Sequence, residues 1–483
     1  DRTMFDDAAV FGVEPIARQD AGGAWSFEPL EGARQHGPLP ARPLIVVDGV
    51  YWQYLASGIG RVWHSMFEEW VKAGLSDHVI VLDRAGTAPR IPGVHYRTIA
   101  AHDYERTGAD SLYLERICNE LGADLFVSTY YSAPTDTPSY FFGHDMIPEM
   151  TGLDLSQEGW QEKARAIRHA SGHSMVSRSS ATDLARLFPE VKQEALTIAY
   201  NEPGAIFTPA TAEEVAAARL TFGLPQRYVL IVGDRTGSGA GGYKNGILAF
   251  RGVAEAAKRS QRFGIVCIGG LADIEPEFRA AARGIDILRL KTDDASLRLI
   301  FSGAHALIYP SRYEGFGMPV IEAMACGCPV ITCPNSSLVE VGGNAAIFVD
   351  PDDVNAMAAA IVSLADSTNR EAHVKAGLKH ASGFTPKAQS DLVMSAFLAT
   401  IGQIDAGALP RPGAGWREFR RYQAGIQADS QSSEPLASRA SASPISALVL
   451  PGIDYLKNIT SWRLRGLLNR ALRKVGLKVT RLN

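Results

Sequence analysis

Short apolar runs alternate with amphipathic segments from Leu44 onward, and this alternation predicts parallel β-sheets covered by helices. Apolar residues at helical spacing predict helices between the runs, as at 62–73 and 111–121. Alternating strands and helices of these lengths are typical of a doubly wound parallel sheet, so we expect an α/β domain over residues 44–203. The apolar runs predict its buried strands at 44–47, 78–82, 125–127, 174–177 and 196–198.

A second series of the same kind follows a segment that contains several prolines. Pro203 and Pro209 lie within residues 201–224 and Pro225 comes directly after them, so we expect the crossing between two domains there. Helices 246–257 and 354–365 are predicted to cover the second sheet. Its strands are predicted at 228–232, 264–268, 286–290, 306–309, 330–332 and 346–349. We therefore predict a second α/β domain over residues 204–401.

The two ends of the chain follow different patterns. Residues 1–43 are rich in turn-forming residues and poorly periodic, and we treat them as an N-terminal extension. Residues 402–452 are rich in Gly, Pro, Ser and Ala, which predicts a linker. Residues 453–483 are predicted to be a basic amphipathic tail, because 454–483 hold eight Lys or Arg against one acidic residue. Such a helix fits an anionic membrane surface; docking on the protein itself or on a partner subunit is the alternative.

Composition narrows the class of protein. The 483 residues are 46% hydrophobic, enough for two cores, and a formal net charge of -4 gives no sign of a nucleic-acid partner. No apolar run approaches the ~20 residues that span a bilayer, and we expect no signal peptide. The five cysteines are expected to be reduced and buried, which favours a cytoplasmic protein, with peripheral attachment to the inner face of the membrane as an option. Cys326, Cys328 and Cys333 lack the spacing and the histidine of a metal site, so no metal is expected.

The strongest chemical signal surrounds a glycine-rich turn in the second domain. Glu314 and Glu322 flank this turn, which contains Gly315 and Gly317 and leads into a predicted helix at 319–325. Glycines let the main chain approach a ligand closely, and the amides that open a helix are unpaired donors. Two carboxylates and bare amides around one cleft suit a polyhydroxyl ligand that carries a phosphate. The alternative interpretation is a strand–turn–helix with two solvated glutamates.

A second glycine-rich segment opens the same domain. The predicted strand 228–232 runs into Gly233 and Arg235, then through a Gly/Ser-rich loop to Lys244 and a helix. A strand, a glycine-rich loop and a helix N-terminus form an anion site by backbone geometry, and Arg235 and Lys244 would add two positive charges beside a diphosphate. A flexible surface loop with two solvated bases is the alternative.

Two further segments are candidates in the first domain. Gly58, Gly60 and Arg61 follow its first strand, where the glycines would allow close approach of a ligand and Arg61 could cap the following helix or contact a phosphate. A purely structural turn is the alternative. His144 and Asp145 follow an aromatic run, and Asp145 could orient the imidazole or bind a hydroxyl. A lone buried histidine is more often structural.

The segment from Tyr309 to Thr332 resembles the signature of retaining, GT-B-fold glycosyltransferases of family 4, in particular their mannosyltransferase-like group. The hallmark of that family is two glutamates separated by seven residues with Gly-Phe-Gly after the first, and the pattern is complete here. The resemblance extends over roughly residues 44–400. It implies two Rossmann-like domains that face a cleft, with a final helix within 387–401 crossing back to brace the first domain.

The resemblance also implies roles for the acidic signature and its neighbours. It places Glu314 and His144 beside the transferred sugar, and it gives Glu322 the ribose hydroxyls. Phe316 and Gly317 would offer backbone amides to the sugar.

The family resemblance also implies roles for two basic residues, for two glycines and for a residue at a strand end. Arg235 and Lys244 would grip the leaving diphosphate, although the loop between them is longer than usual in the family. The Gly58 and Gly60 loop would face the donor phosphates and the acceptor. The nucleobase is expected against the strand end near Leu290.

The features together predict a hexosyltransferase. The Gly-Ile-Gly-Arg and Tyr-Lys-Asn segments favour GDP-mannose or a related GDP-deoxyhexose as donor, with a UDP-sugar as the alternative. The acceptor is expected to be a polysaccharide or a lipid-linked glycan. The triplet Asp350–Pro351–Asp352 is interpreted as a helix cap, so catalysis without a metal is expected.

Three other functions occur or are conceivable on the same fold. A glucan phosphorylase would need a pyridoxal-binding lysine segment, and none is recognised. A sugar-nucleotide epimerase is a further possibility on this fold. A non-catalytic glycan-binding scaffold would be expected to lack some of Glu314, Glu322, Lys244 and His144, yet the sequence has all four.

Overall fold

The computed structural model describes residues 42–54, 58–235, 242–259, 263–270 and 273–432, together with the backbone of a short antiparallel pair, β1 (Ala17–Gln19) and β2 (Trp25–Phe27). The predicted basic tail, residues 453–483, lies outside the described residues. So do most of the N-terminal extension and residues 433–452.

The first domain is built on a seven-stranded sheet in the order β5-β4-β3-β6-β7-β8-β9, and every neighbouring pair is parallel. Its first strand lies inside the sheet, between β4 and β6, which is the switch point of a doubly wound fold. The strands are β3 (Ile45–Asp48), β4 (Val79–Arg84), β5 (His95–Ile99), β6 (Leu125–Ser128), β7 (Ser139–Gly143), β8 (Gly172–Met175) and β9 (Thr197–Ile198).

Helices pack on this sheet because each buries one apolar face. On α2, Trp63, Phe67 and Trp70 recur at helical spacing and are at most 1% exposed. Burying each large apolar side chain contributes roughly 1.5–3 kcal/mol. The helices are α1 (Val50–Tyr54), α2 (Gly58–Lys72), α3 (Thr107–Leu121), α4 (Ile147–Thr151), α5 (Glu158–His169) and α6 (Arg178–Leu187), with 3-10 turns at Ser76–His78, Tyr104–Arg106 and Gln193–Ala195.

The second domain has a six-stranded parallel sheet in the order β12-β11-β10-β13-β14-β15. It repeats the plan of the first, since its first strand again lies inside the sheet. The strands are β10 (Tyr228–Val232), β11 (Gly264–Ile268), β12 (Ile287–Leu290), β13 (Ala306–Tyr309), β14 (Val330–Thr332) and β15 (Ile347–Phe348). The predicted fold class, two doubly wound parallel-sheet domains, is confirmed.

Local sequence sets the ends of several helices in this domain. The Thr211 hydroxyl accepts from the Glu214 amide and the Glu214 side chain reaches back to the cap, so a capping box starts α7, and Gly223 in the left-handed region ends it. The helices are α7 (Ala212–Phe222), α8 (Gly246–Arg259), α9 (Pro276–Ala281), α10 (Asp294–Gly303), α11 (Met318–Ala325), α12 (Leu338–Gly342), α13 (Val354–Ser363) and α14 (Ser367–Ala381).

A long C-terminal helix, α15 (Pro386–Asp405), returns to the first domain and packs on α2 and β8. The Phe397 ring meets the rings of Trp70 and Tyr140 edge-on at 6.2 and 4.9 Å. The Trp70 indole N–H donates to the Ser390 carbonyl at 3.1 Å. The crossing-back helix that the family resemblance implied is therefore present, a few residues longer than expected.

The predicted linker at 402–452 is wrong in its first half, because residues of this range form a further helix, α16 (Ala414–Ser432), against α3. Arg420 is fully buried there and pairs with Glu162. Gly108 permits the close contact, since a Cβ on it would lie 2.6 Å from the Ala424 nitrogen. This helix packs through polar side chains, and its sequence therefore shows no wide apolar stripe. Without such a stripe, the composition of the segment indicated a linker.

Two strands of the first domain, β5 and β7, have no counterpart among the predicted strand ranges. β5 lies at the edge of its sheet and is mostly partly exposed, so its sequence lacks the apolar run of a buried strand. β7 is fully buried, but its aromatic run was interpreted only as the approach to His144. None of the helices within the described ranges is long and apolar enough to cross a bilayer.

Candidate active site

The glycine-rich turn between β13 and α11 is held in place by serine side chains. The Glu314 amide donates to the Ser336 hydroxyl at 2.8 Å, and the Ser337 hydroxyl bonds to the carbonyls of Glu314 and Phe316 at 2.9 and 2.8 Å. Gly317 has a φ of 103°, a left-handed conformation that suits glycine. Among the described residues, the Phe316 and Gly317 amides have no hydrogen-bond acceptor, and their contact with the sugar stays a prediction.

Glycine is also required at the next contact, where the turn meets the first domain. A Cβ on Gly315 would lie 2.0 Å from the His144 carbonyl oxygen and 2.5 Å from the Asp145 Cβ. The Gly315 carbonyl accepts from the hydroxyls of Ser177 and Ser180 at 2.7 and 3.0 Å. The turn that carries Glu314 is therefore seated against the predicted His144–Asp145 segment.

Lys244 and Glu314 form an ion pair within the second domain. The Lys244 Nζ lies 2.7 Å from the Glu314 Oε1 and 3.4 Å from the Tyr309 hydroxyl. Burial is the largest single effect and opposes the charge of this lysine, but the Glu314 carboxylate together with Tyr309 and Tyr243 raises the pKa of Lys244 well above its usual value. The site thus holds a permanent cation beside a carboxylate that is 5% exposed.

Glu322, at 1% exposure, lies in the second turn of α11 and meets a cation from the other domain. The Arg61 guanidinium donates to the Glu322 Oε1 at 2.6 Å and lies 3.0 Å from the Asp294 Oδ1. Burial raises the pKa of Glu322 to about 7, with Arg61 acting against this rise and Asp294 adding to it. Arg61 was proposed from sequence as a cap or a phosphate contact, and its pairing with Glu322 was not foreseen.

His144 and Asp145 lie together at the end of β7. The His144 Nε2 is buried and has no hydrogen-bond partner among the described residues, and its ring meets Phe142 edge-on at 5.2 Å. Burial lowers the pKa of His144 to about 4, so this imidazole is neutral at pH 7. Asp145 accepts from the Ile147 amide at 2.9 Å, and its carbonyl accepts from the Lys163 ammonium at 3.0 Å. A neutral imidazole with a free nitrogen can accept or donate one hydrogen bond to a sugar hydroxyl.

Several residues that join the domains were missed from sequence. The Glu340 carboxylate accepts from the amides of Arg178 and Ser179 at 3.0 and 2.9 Å and from the Tyr200 hydroxyl at 2.8 Å. The Tyr313 hydroxyl donates to Asp183 at 2.8 Å. No local motif marks these side chains, because each partner lies more than a hundred residues away in the chain. Ser177 caps α6, since its hydroxyl accepts from the Ser180 amide at 3.0 Å.

The structure contradicts the phosphate-binding role predicted for Arg235. This side chain is fully buried, and its guanidinium donates twice to Glu275, at 2.9 and 3.1 Å. The remaining donors go to the carbonyls of Gly269 and Asp273 at 3.2 and 3.1 Å. The arginine therefore braces its own domain, whereas Lys244 pairs with Glu314.

The two glycines of the first domain that were predicted to face the donor also have different surroundings in the structure. A Cβ on Gly58 would lie 3.7 Å from Met318, at the start of α11, so this glycine faces the second domain. A Cβ on Gly60 would lie 3.1 Å from the Trp52 indole nitrogen, so Gly60 serves packing inside its own domain. Leu290 is the last residue of β12, and its carbonyl accepts from the Gly269 amide at 3.4 Å. Its contact with a nucleobase stays a prediction.

The acidic triplet also needs a correction. Asp353, one residue beyond it, is the N-cap of α13, since its side chain accepts from the Ala356 amide at 2.9 Å. Asp352 instead pairs with Arg312, and Asp350 accepts from the Asp352 amide at 2.8 Å. The described residues contain no group of three or more His, Cys, Asp or Glu side chains arranged to hold a metal ion.

Comparisons with known proteins match parts of this chain to glycosyltransferases. Residues 228–367 match the family model of Glycosyl transferases group 1. The chain is 44% identical over 93 residues to O-antigen chain mannosyltransferase B of Escherichia coli, covering 19% of this chain and 24% of that protein. It is 30% identical over 224 residues to D-inositol 3-phosphate glycosyltransferase of Thermobispora bispora, covering 43% and 49%. The chain therefore spans less than half the length of these curated relatives.

Solved structures show the same fold. Sucrose-phosphate synthase from Thermosynechococcus elongatus superimposes with a TM-score of 0.58 at 17% identity, over 75% of this chain and 100% of that one. HepE of Anabaena in complex with UDP-glucose gives 0.58 at 14% identity, over 74% and 99%. The solved structures confirm the predicted two-domain fold, and the family match and the mannosyltransferase relative agree with the resemblance predicted from sequence.

Proposed function

Starting from a glycosyl transferases group 1 domain within a GT-B fold, we propose that this chain transfers a hexose from a nucleoside-diphosphate sugar to a glycan hydroxyl. The observation that carries the proposal is the convergence of Glu314, Lys244, Glu322 and His144 at the contact of the two domains. A non-catalytic scaffold would have no need for an ion-paired lysine and two buried carboxylates at this place.

The donor we propose is GDP-mannose or a related GDP-deoxyhexose. Support comes from the Gly-Ile-Gly-Arg and Tyr-Lys-Asn segments and from relatives named as mannosyltransferases, at partial coverage. A UDP-sugar is the second candidate, favoured by the structural neighbour HepE, which was solved in complex with UDP-glucose. The proposed acceptor is a hydroxyl of a polysaccharide or a lipid-linked glycan, a proposal that also follows from relatives named for O-antigen chains.

Charge stabilisation is the main catalytic contribution in this proposal. The nucleoside diphosphate leaves as an anion while the sugar becomes oxocarbenium-like, and Lys244 is the cation that meets the leaving group. At an effective dielectric near 20, a cation ~4 Å from a developing charge contributes about 4 kcal/mol. Half of that amount, made only in the transition state, raises the rate more than tenfold.

We further propose that the reaction retains the anomeric configuration and needs no metal. The acceptor hydroxyl attacks the anomeric carbon on the face that the diphosphate leaves, and a phosphate oxygen takes its proton. Glu314 then positions the sugar and stabilises its positive charge without a covalent bond. Its oxygen already accepts from Lys244, and a double displacement by the two-carboxylate route would need a second carboxyl group as acid and base. The described side-chain contacts of Glu314 are Lys244 and Tyr309, and no second carboxylate is among them.

The test is a binding and product experiment with purified protein. Thermal stabilisation is measured with GDP, UDP, ADP and TDP, each with and without EDTA; a ligand at 100 times its Kd contributes about 2.7 kcal/mol. We expect a shift selective for GDP and insensitive to EDTA. Glu322→Ala is the matched variant that should lose most of the shift.

The outcomes separate the parts of the proposal. A UDP-selective shift would replace the donor and leave the reaction class in place. An EDTA-sensitive shift would overturn the metal-free proposal, and an inverted anomeric signal in the NMR spectrum of the product would overturn retention. No shift with any nucleotide would overturn the enzymatic proposal itself.

A further inference from the structure

Arg61 is surrounded by carboxylates that belong to different parts of the chain. Its guanidinium donates to Glu322 at 2.6 Å and lies 3.0 Å from Asp294, and the ring of Phe207 lies 5.6 Å beneath it. Glu202, which is 3% exposed, feels the same positive charge. Arg61 itself is carried by α2 of the first domain, whereas Glu322 and Asp294 lie on α11 and α10 of the second.

Glu322 depends on this arginine for its countercharge. No other cationic side chain pairs with Glu322 among the described residues, and the carboxylate is almost inaccessible to water. Only Oε1 takes part in the contact, so Oε2 remains for a further donor. An isolated buried carboxylate is costly unless it is paired, and it gives up its charge by binding a proton.

We propose that Arg61 is a positioning residue for the donor: its pairing with Oε1 across the cleft keeps Glu322 charged and oriented, so that Oε2 accepts the ribose hydroxyls. This inference rests on the proposed function, because the ribose role of Glu322 belongs to it. If Arg61 has this role, the protein binds the donor with full affinity only while the two domains are closed on each other.

The electrostatic surroundings of Glu322 indicate how the coupling would show itself. The pKa of Glu322 is raised to about 7, mainly by burial; Arg61 lowers this pKa, and Asp294 and Glu202 contribute to its rise. These groups come from α10, from the segment between the domains and from α2, and they are the charged side chains that face Glu322 in the described structure. Without Arg61 the carboxylate would stay protonated to higher pH, and a neutral carboxyl holds hydroxyls less strongly than a carboxylate.

The experiment measures the Kd of GDP and of 2′,3′-dideoxy-GDP by isothermal titration between pH 6 and pH 9, with the UDP pair used if UDP is the preferred nucleotide. The variants are Arg61→Gln, Arg61→Lys, Glu322→Gln and the double variant Arg61→Gln/Glu322→Gln. We expect Arg61→Gln to weaken GDP binding roughly tenfold at pH 7 and much less at pH 9, where Glu322 ionises without help. Arg61→Lys should restore most of the affinity.

Two controls separate this role from general loosening of the cleft. Dideoxy-GDP lacks the ribose hydroxyls, so its affinity should change little in Arg61→Gln. Glu340→Gln removes a carboxylate that also joins the domains but bonds to Arg178, Ser179 and Tyr200 instead. It should leave the pH profile of GDP binding as in the parent protein.

The outcomes are distinguishable from failure of the proposed function. If the parent protein binds no nucleotide, the proposed function fails first. If it binds GDP and Arg61→Gln matches it at every pH, or weakens GDP and dideoxy-GDP equally, the positioning role is wrong. If Arg61→Gln does not fold, Asp294→Asn serves as the second variant: it removes a charge that raises the pKa of Glu322 and should tighten GDP binding at pH 6. Unchanged or weaker binding there would also overturn the inference.

Discussion

Glu314 and Glu322 lie on one short segment and are both buried, at 5% and 1% exposure, yet their charges are balanced in different ways. Glu314 meets Lys244 of its own domain, so this pair exists whether the cleft is open or closed. Glu322 meets Arg61 of the other domain. The comparison indicates that one carboxylate is prepared by the fold of a domain, and the other only by the approach of two domains.

This difference suits the two proposed tasks. A group that stabilises charge on the sugar must be fixed before the reaction, because preorganised charges act without reorganisation cost. A group that holds the ribose can be coupled to closure, since tight binding is useful only when the reacting groups are assembled.

The largest expected effect concerns the Glu314 half of the comparison. Glu314→Gln keeps the shape of the side chain but removes the charge that faces Lys244 and the sugar. We expect kcat to fall about a thousandfold, which is about 4 kcal/mol of transition-state stabilisation, with the donor Kd changed less than about threefold. Steady-state kinetics and titration of the nucleotide measure the two quantities. A drop confined to donor affinity would show that the roles of the two glutamates are interchanged.

Arg235 and Lys244 sharpen the comparison, because these two cations flank one loop and meet different partners. Arg235→Met leaves Glu275 unpaired in the interior, so we expect a loss of about 3 kcal/mol and a fall in Tm of roughly 5–10 °C. Calorimetry measures the fall in Tm. The matched variant Lys244→Met should lower kcat about a hundredfold, with a smaller fall in Tm. If kcat falls equally in both variants, Arg235 acts in the active site as the sequence predicted.

The Glu322 half is tested through affinity and pH. Glu322→Gln should weaken GDP binding about tenfold. In the parent protein, Glu322 loses its charge as pH falls through about 7. The donor Kd should therefore rise as pH falls below about 7, and it should be constant well above that pH. In Glu322→Gln this dependence should vanish, which titrations at pH 6, 7 and 8 can show. A dependence that survives the substitution would assign it to another group.

The smallest expected effect concerns His144, whose titration should not change kcat between pH 5.5 and pH 8. Burial lowers the pKa of His144 to about 4, so the imidazole is neutral throughout the range in which Glu322 titrates. We therefore expect kcat at saturating donor to stay within about twofold between pH 5.5 and pH 8. A loss of kcat with a midpoint near the ordinary value of histidine would show that the bound state exposes this ring to water.

Much of the fold was predictable because its signals are local. Tyr228–Val232, Gly264–Ile268 and Ala306–Tyr309 are buried parallel strands, and such strands appear in sequence as continuous apolar runs between turn residues. The edge strand His95–Ile99 carried no such run, and α16 carried no wide apolar stripe, so both were missed or misassigned. A helix that docks through Arg420 and Gln423 cannot be distinguished from a polar linker by periodicity alone.

The sequence by itself determined the two doubly wound domains and the Glu314–Glu322 signature, because hydrophobic period and motif spacing act within a few tens of residues. The tertiary structure alone decided which charges meet. Arg61 and Glu322 are 261 positions apart, and Arg235 finds Glu275 at a distance of 40 positions while Lys244, much nearer to Arg235, finds Glu314. A charged side chain takes the partner that lies nearest in space, and only the packing of sheets and domains sets that neighbour.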